Sequence, residues 1–172
     1  MSEEQPNERA VNIEIGLRGI RRGPPRPRKS ALTGEQEIYA ELEMVDEEYR
    51  AATAIMARYG GVDEYGEGRL SLPAAQIEVW GFEYDGCMMN LSGDLRAACD
   101  FVFELATAAH LVVQFESVQG DASALVTTPD LLKRVQALDD AAREELGPIV
   151  LVADAAAMCE RLQSVATTVG PP

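Results

Sequence analysis

A chain of 172 residues, 47% of them hydrophobic, is long enough to build one domain around a core and too apolar to stay unfolded. Its formal charge of −14 is spread unevenly: residues 1–30 hold seven basic and four acidic side chains, the remainder 8 basic and 25 acidic. A body that acidic repels nucleic-acid phosphates and anionic lipid headgroups, so neither nucleic acid nor a membrane surface is an expected partner.

Residues 1–10 are polar and acidic and lack the basic-then-apolar order of a secretory leader, and no run approaches the ~18 apolar residues of a membrane span. Cysteines 87, 99 and 159 form an odd, sparse set that reads as reduced thiols. A cytoplasmic location is therefore expected. Residues 1–10 are expected to be a flexible N-terminus, 11–168 a single globular domain, and 169–172 a flexible tail.

The first element is a half-buried strand over 11–17, where Val11, Ile13, Ile15 and Leu17 alternate with Asn12, Glu14 and Gly16. Residues 18–30 form a basic arm with six positive side chains from Arg18 to Lys29. Pro24, Pro25 and Pro27 forbid a helix there and favour an extended, polyproline-like course. An acidic segment follows, with seven acids and no base from Glu35 to Glu48.

Thr33 as N-cap, with Gln36 three residues on, marks a helix start, and Gly60-Gly61 marks its end. Between them Ile38, Leu42, Val45, Tyr49, Ala52, Met56 and Tyr59 recur at alternating spacings of four and three. This seam predicts one long helix, about 39 Å from end to end. The bland reading makes the seam the core face of a helix lying on a sheet. The sharper reading makes it a contact face, and because acids such as Glu41, Asp46 and Glu48 flank it, a basic partner fits better than a second copy.

Residues 60–75 read as a Gly-rich acidic loop. Asp63, Glu64 and Glu67 lie in it without the ligand order of a calcium loop, and their charge repels phosphate. A hairpin is predicted from strands 76–84 and 87–91 around an Asp85-Gly86 turn, with Ile77 and Val79 on one face and Trp80, Phe82 and Tyr84 on the other. Ser92 or Asp94 caps a helix over 95–109, whose wide apolar stripe makes it the most buried. Strands at 111–115 and 124–127 follow. Thr128-Pro129 opens a helical region over 130–146 with a break in its middle. A short buried strand over 148–152 leads to a last helix, capped by Asp154, over 155–165. The sum is an α/β or α+β arrangement: a mixed β-sheet with a long N-terminal helix and three further helices packed on it.

Catalytic chemistry finds little footing. The one histidine, His110, falls at the end of the second helix, where an imidazole suits the helix dipole. Cys99 and Cys159 fall on apolar stripes and read as core, while Cys87 follows the hairpin turn and reads as exposed. No paired-cysteine spacing suggests zinc, so neither metal nor cofactor is expected.

The reading that remains is a non-catalytic protein-binding module. Its candidate contact set is Glu37, Glu41, Glu43, Asp46, Glu47 and Glu48, joined by Asp63, Glu64 and Glu67, and its expected partner is a basic protein. In size and charge the chain resembles small acidic bacterial inhibitor and immunity proteins, which implies neutralisation of a basic toxin or nuclease. Two rivals stand beside it. One is a small-ligand protein or enzyme with a pocket between sheet and helix near Trp80, Tyr84 and His110. The other is a scaffold that assembles as a homo-oligomer through the 38–59 seam.

Overall fold

The computed structural model describes residues 11–20, 26–29, 33–39, 42–116, 122–138 and 140–168. The first elements are β1 (Val11–Gly19), β2 (Arg26–Lys29), β3 (Gln36–Tyr39), α1 (Asp46–Ala57), β4 (Gly68–Ser71), β5 (Ala75–Glu83) and β6 (Gly86–Gly93). Then come α2 (Leu95–Ala109), β7 (Leu111–Glu116), β8 (Ala122–Val126), α3 (Pro129–Gln136), α4 (Asp140–Leu146), β9 (Ile149–Leu151) and α5 (Ala155–Thr168). The expected flexible ends, 1–10 and 169–172, lie outside the described residues, as do 21–25 and 30–32 of and beside the basic arm.

The alternating N-terminal segment becomes the middle strand of a seven-stranded sheet of order β4-β5-β6-β1-β7-β8-β9. Every pairing is antiparallel except β8 with β9, so the sheet is mixed. Ile13, Ile15 and Leu17 of β1 are buried on one face with Ile77, Val79, Met89 and Leu91. Over them lie Ala98, Cys99, Val102, Leu105 and Ala106 of α2, Ala52, Ile55 and Met56 of α1, and Met158 and Leu162 of α5. A second core occupies the opposite face of β7 and β8, where Val112, Ala124 and Val126 meet Ile20, Leu131, Val135 and Leu146. Neighbouring residues thus enter different cores: Val112 and Val126 one, Val113 and Leu125 the other. A strand covered on both faces explains the apolar run Leu111-Val112-Val113 at its start.

Three helices start at side-chain caps that the sequence exposes. Asp94 accepts the Ala97 N–H at 3.0 Å, Thr128 Oγ1 the Leu131 N–H at 3.1 Å, and Asp154 the Ala157 N–H at 2.8 Å. The 130–146 region breaks after α3, so four helices follow the first instead of three.

The long N-terminal helix does not form. Residues 36–39 of it are strand β3, paired antiparallel with β2 so that Arg28 stands opposite Glu37 in register. Thr33 Oγ1 accepts the Glu35 N–H at 3.4 Å, a local turn and not a helix cap. Residues 42–45 then cross the end of the sheet outside any helix: Leu42 packs on the second core, Met44 on the first. The Met44 N–H donates to the Tyr84 carbonyl at 2.6 Å, which removes it from any helical ladder. Helix α1 begins only at Asp46, where three successive acids occupy its positive end and Glu48 Oε1 accepts the Val45 N–H at 3.0 Å. Val45 has no polar side chain, so only this reciprocal half of a capping box exists. Tyr49, Ala52, Met56 and Tyr59 do face the core. The seam is therefore core packing where it is helical, and it is interrupted upstream of Asp46.

A bulge between Trp80 and Glu83 shifts the β5–β6 register. Gly81 takes φ of 67° there, a left-handed conformation that glycine adopts without a Cβ penalty. The extra residue turns Phe82 to the buried face with Ile77 and Val79, against the expected grouping with Trp80. It also moves the turn: Glu83 pairs with Gly86, leaving Tyr84-Asp85 at the tip instead of Asp85-Gly86.

The crossing at the sheet end rests on Gly19, where a Cβ would stand 2.5 Å from the Met44 nitrogen. We expect Gly19→Ala to cost about 2 kcal/mol through forced backbone displacement, seen as a lowered urea midpoint at unchanged m-value.

Candidate functional site

Hairpin tip, helix start and acidic loop meet at one end of the molecule. Tyr49 in the first turns of α1 stacks on Phe82 at 4.9 Å and on Tyr84 at 4.3 Å between ring centroids. The Tyr84 hydroxyl donates to Asp46 Oδ1 at 2.9 Å, and this bond to a carboxylate holds the phenol pKa above its usual value. The 61–67 loop closes on itself: Asp63 Oδ1 accepts the N–H groups of Tyr65 and Glu67, both at 2.9 Å. Gly66 seats this loop against the hairpin, with its carbonyl accepting the Phe82 N–H at 3.1 Å.

Four large hydrophobic side chains are exposed among the described residues, and three of them belong to these segments: Val45 at 43%, Tyr65 at 76% and Tyr84 at 42%. Around them Asp46, Glu47, Asp63, Glu64, Glu67, Glu83 and Asp85 are exposed, with Arg50 of α1 the cation whose charge reaches Tyr84. The result is a small aromatic surface with an acidic surround, built on stacked rings and closed turns. Tyr65 carries no role in the sequence pattern, and Val45 reads there as a seam residue. An aromatic residue flanked by Glu64 and Gly66 in a polar loop was the available signal, since nothing nearby demanded its burial.

The acids expected to act together are divided. Asp46, Glu47, Asp63, Glu64 and Glu67 reach this end, with Glu43 half-buried beside it. Glu37 lies in β3, and Glu41 falls outside the described residues. Glu48 is turned inward: it is 6% exposed, and its Oε2 lies 2.7 Å from His110 Nδ1 and 3.3 Å from Arg134 Nη1. Arg134 Nε lies a further 3.5 Å from Asp130 Oδ2, an ion pair within α3. Glu48 thus serves the interior, not a surface.

Trp80, Tyr84 and His110 do not share a pocket. Trp80 lies on the sheet face away from α1, α2 and α5, Tyr84 sits at the tip, and His110 caps α2 in a left-handed conformation with φ of 52°. Its imidazole is engaged by Glu48, a bond that orients it at the sheet end.

Burial governs two of the three thiols. Cys87 is buried, against the expectation of exposure, because it pairs with Leu17 in the core; burial, and next the charge of Asp85, push its thiol up to about 12. Cys99 is also raised, by burial first and then by the adjacent Cys159 across the α2–α5 contact. Among the described residues no group of three or more His, Cys, Asp or Glu is placed to hold a metal ion, and no helix is long and apolar enough to cross a membrane. Comparison with family models, with curated proteins and with solved structures finds no match.

Glu48→Ala leaves the largely buried Arg134 charge with only the longer contact to exposed Asp130, and His110 without its carboxylate. The expected loss is about 3 kcal/mol of unfolding free energy, against less than about 0.5 kcal/mol for exposed Glu47→Ala, both read from urea titrations. Iodoacetamide at pH 8.5 is expected to leave Cys87 unmodified in the folded protein and to alkylate it fully in urea, because the raised pKa removes the thiolate that reacts.

Proposed function

We propose that this chain is a non-catalytic binding module that docks a basic protein at the end formed by Val45, Tyr65 and Tyr84 and their surrounding acids. Inhibition of a basic toxin or nuclease, the role of an immunity protein, is its concrete form. The observation that carries the reading is convergence: among the described residues, three of the four exposed large hydrophobic side chains stand amid the acidic cluster. Protein interfaces commonly place aromatic anchors at the centre and charge at the rim. The anchors supply desolvated contact area, and the acids speed encounter with a cationic partner and reject an anionic one.

The stacking of Tyr84 on Tyr49 and its bond to Asp46 support the same reading, because a rigid aromatic loses little conformational freedom on binding. The engagement of His110 by Glu48 and the raised thiols of Cys87 and Cys99 support a role without catalysis.

The test uses the basic protein recovered on the tagged chain from its native cell, followed by measured dissociation constants for that pair at several salt concentrations. Combined Glu47→Lys, Glu64→Lys and Glu67→Lys should weaken binding at least about tenfold at low salt and flatten its salt dependence. Tyr65→Ala should raise the dissociation rate about tenfold and leave the salt slope unchanged. Unchanged affinity in both variants, or a recovered partner without basic character, overturns the reading.

A further inference from the structure

The face of the sheet turned away from α1, α2 and α5 carries a recess with its own chemistry. Register across four strands places Trp80, Met88, Gly16 and Gln114 side by side in one row. Three of these have large side chains and the fourth has none, so the row is indented at Gly16. The resulting cavity of about 270 Å³ is lined by Gly16, Arg18, Trp80, Asp85, Met88 and Gln114.

Nothing in the fold asks for glycine at position 16. Its φ lies outside the left-handed region, and a Cβ would meet Met88 Sδ at 3.4 Å and Gln114 atoms at 3.8 and 3.9 Å, ordinary contacts. Glycine inside a strand weakens it, and such a position often marks close approach by a ligand.

The walls differ in character. Trp80 and Met88 are half-buried and offer an indole face and a thioether, both suited to an aromatic ring. Arg18 lines the same recess, one-third exposed, and among the described residues it pairs with exposed Glu145 at 3.7 Å, a contact that an incoming anion displaces at little cost. The Gln114 amide is fixed by its bond to the Glu145 carbonyl at 2.8 Å. Asp85 at the rim disfavours a second negative charge, which argues against phosphates and nucleotides.

We propose that this recess binds a small aromatic monoanion, with its ring against Trp80 and Met88 beside the buried Gly16 and its carboxylate on Arg18. The proposal does not rest on the docking of a basic protein.

Trp80 is the sole tryptophan, so its fluorescence reports on this recess directly. Benzoate, with neutral benzamide as the control, is titrated against the full chain. Benzoate is expected to change Trp80 emission saturably below about 10 mM and benzamide to bind about fivefold more weakly, with Arg18→Gln removing that difference. Gly16→Leu, checked for fold by circular dichroism, should abolish saturation by filling the indentation. Gly16→Ala should hold or raise the melting midpoint by about 2–4 °C, since the fold has room for the methyl group. The proposal is overturned by any one of three results: no saturable response in the wild-type chain, equal binding by a folded Gly16→Leu, or a benzoate preference that survives Arg18→Gln. A clear fall in the melting midpoint of Gly16→Ala removes its premise.

Discussion

The Glu48 carboxylate joins parts of the chain that apolar packing leaves separate. Helix α1 belongs to the core on one face of the sheet, α3 to the core on the other, and His110 stands at the corner between α2 and β7. Glu48 joins them through Val45 at the cap of its own helix, His110 at the corner and Arg134 on α3. A buried carboxylate costs several kcal/mol in lost hydration, offset only when its oxygens are nearly all engaged, as they are here. The geometry this demands is narrow. Residues 42–45 must pass close over Gly19, α1 must start at Asp46, and His110 must turn back in a left-handed conformation so that its Nδ1 meets the oxygen. The path of the chain around the sheet end is the common solution to these demands.

The surplus of negative charge acts differently in different places. Arg58–Glu104, Arg69–Glu78, Arg96–Asp100 and Arg143–Asp140 are pairs at the surface, each worth little in water. At the hairpin tip the acids instead gather around aromatic side chains. Asp46 and Asp63 are already committed to local bonds that shape that surface, while exposed Glu47, Glu64 and Glu67 project charge. One end of the molecule thus combines fixed aromatic area with a concentration of exposed acids.

Much of the fold was legible because its signals are local. Asp94, Thr128 and Asp154 announce their helices through bonds made within three residues, and the alternation of β1 is visible without reference to the strands beside it. The segment 33–45 misled for a physical reason. Its apolar residues sit three and four apart, which suits a helix face, yet Leu42 and Met44 are spent on two different cores by a chain that crosses from one to the other. That need arises only once the sheet exists. The Gly81 bulge was equally hidden, since one extra residue reverses the facing of Phe82 and nothing in an alternating stretch reveals where the count slips. At the candidate site the acids were visible as composition. Their division into inward Glu48 and outward Glu47 follows from helix phase, and it could not be read while α1 was taken to begin a dozen residues too early.

The two outermost strands, β4 and β9, span only four and three residues. A short border offers few unpaired amides and carbonyls for another polypeptide to zip onto, and this protects the sheet against lateral growth into aggregates. Along these two borders strand addition finds only four and three residues of backbone to hold.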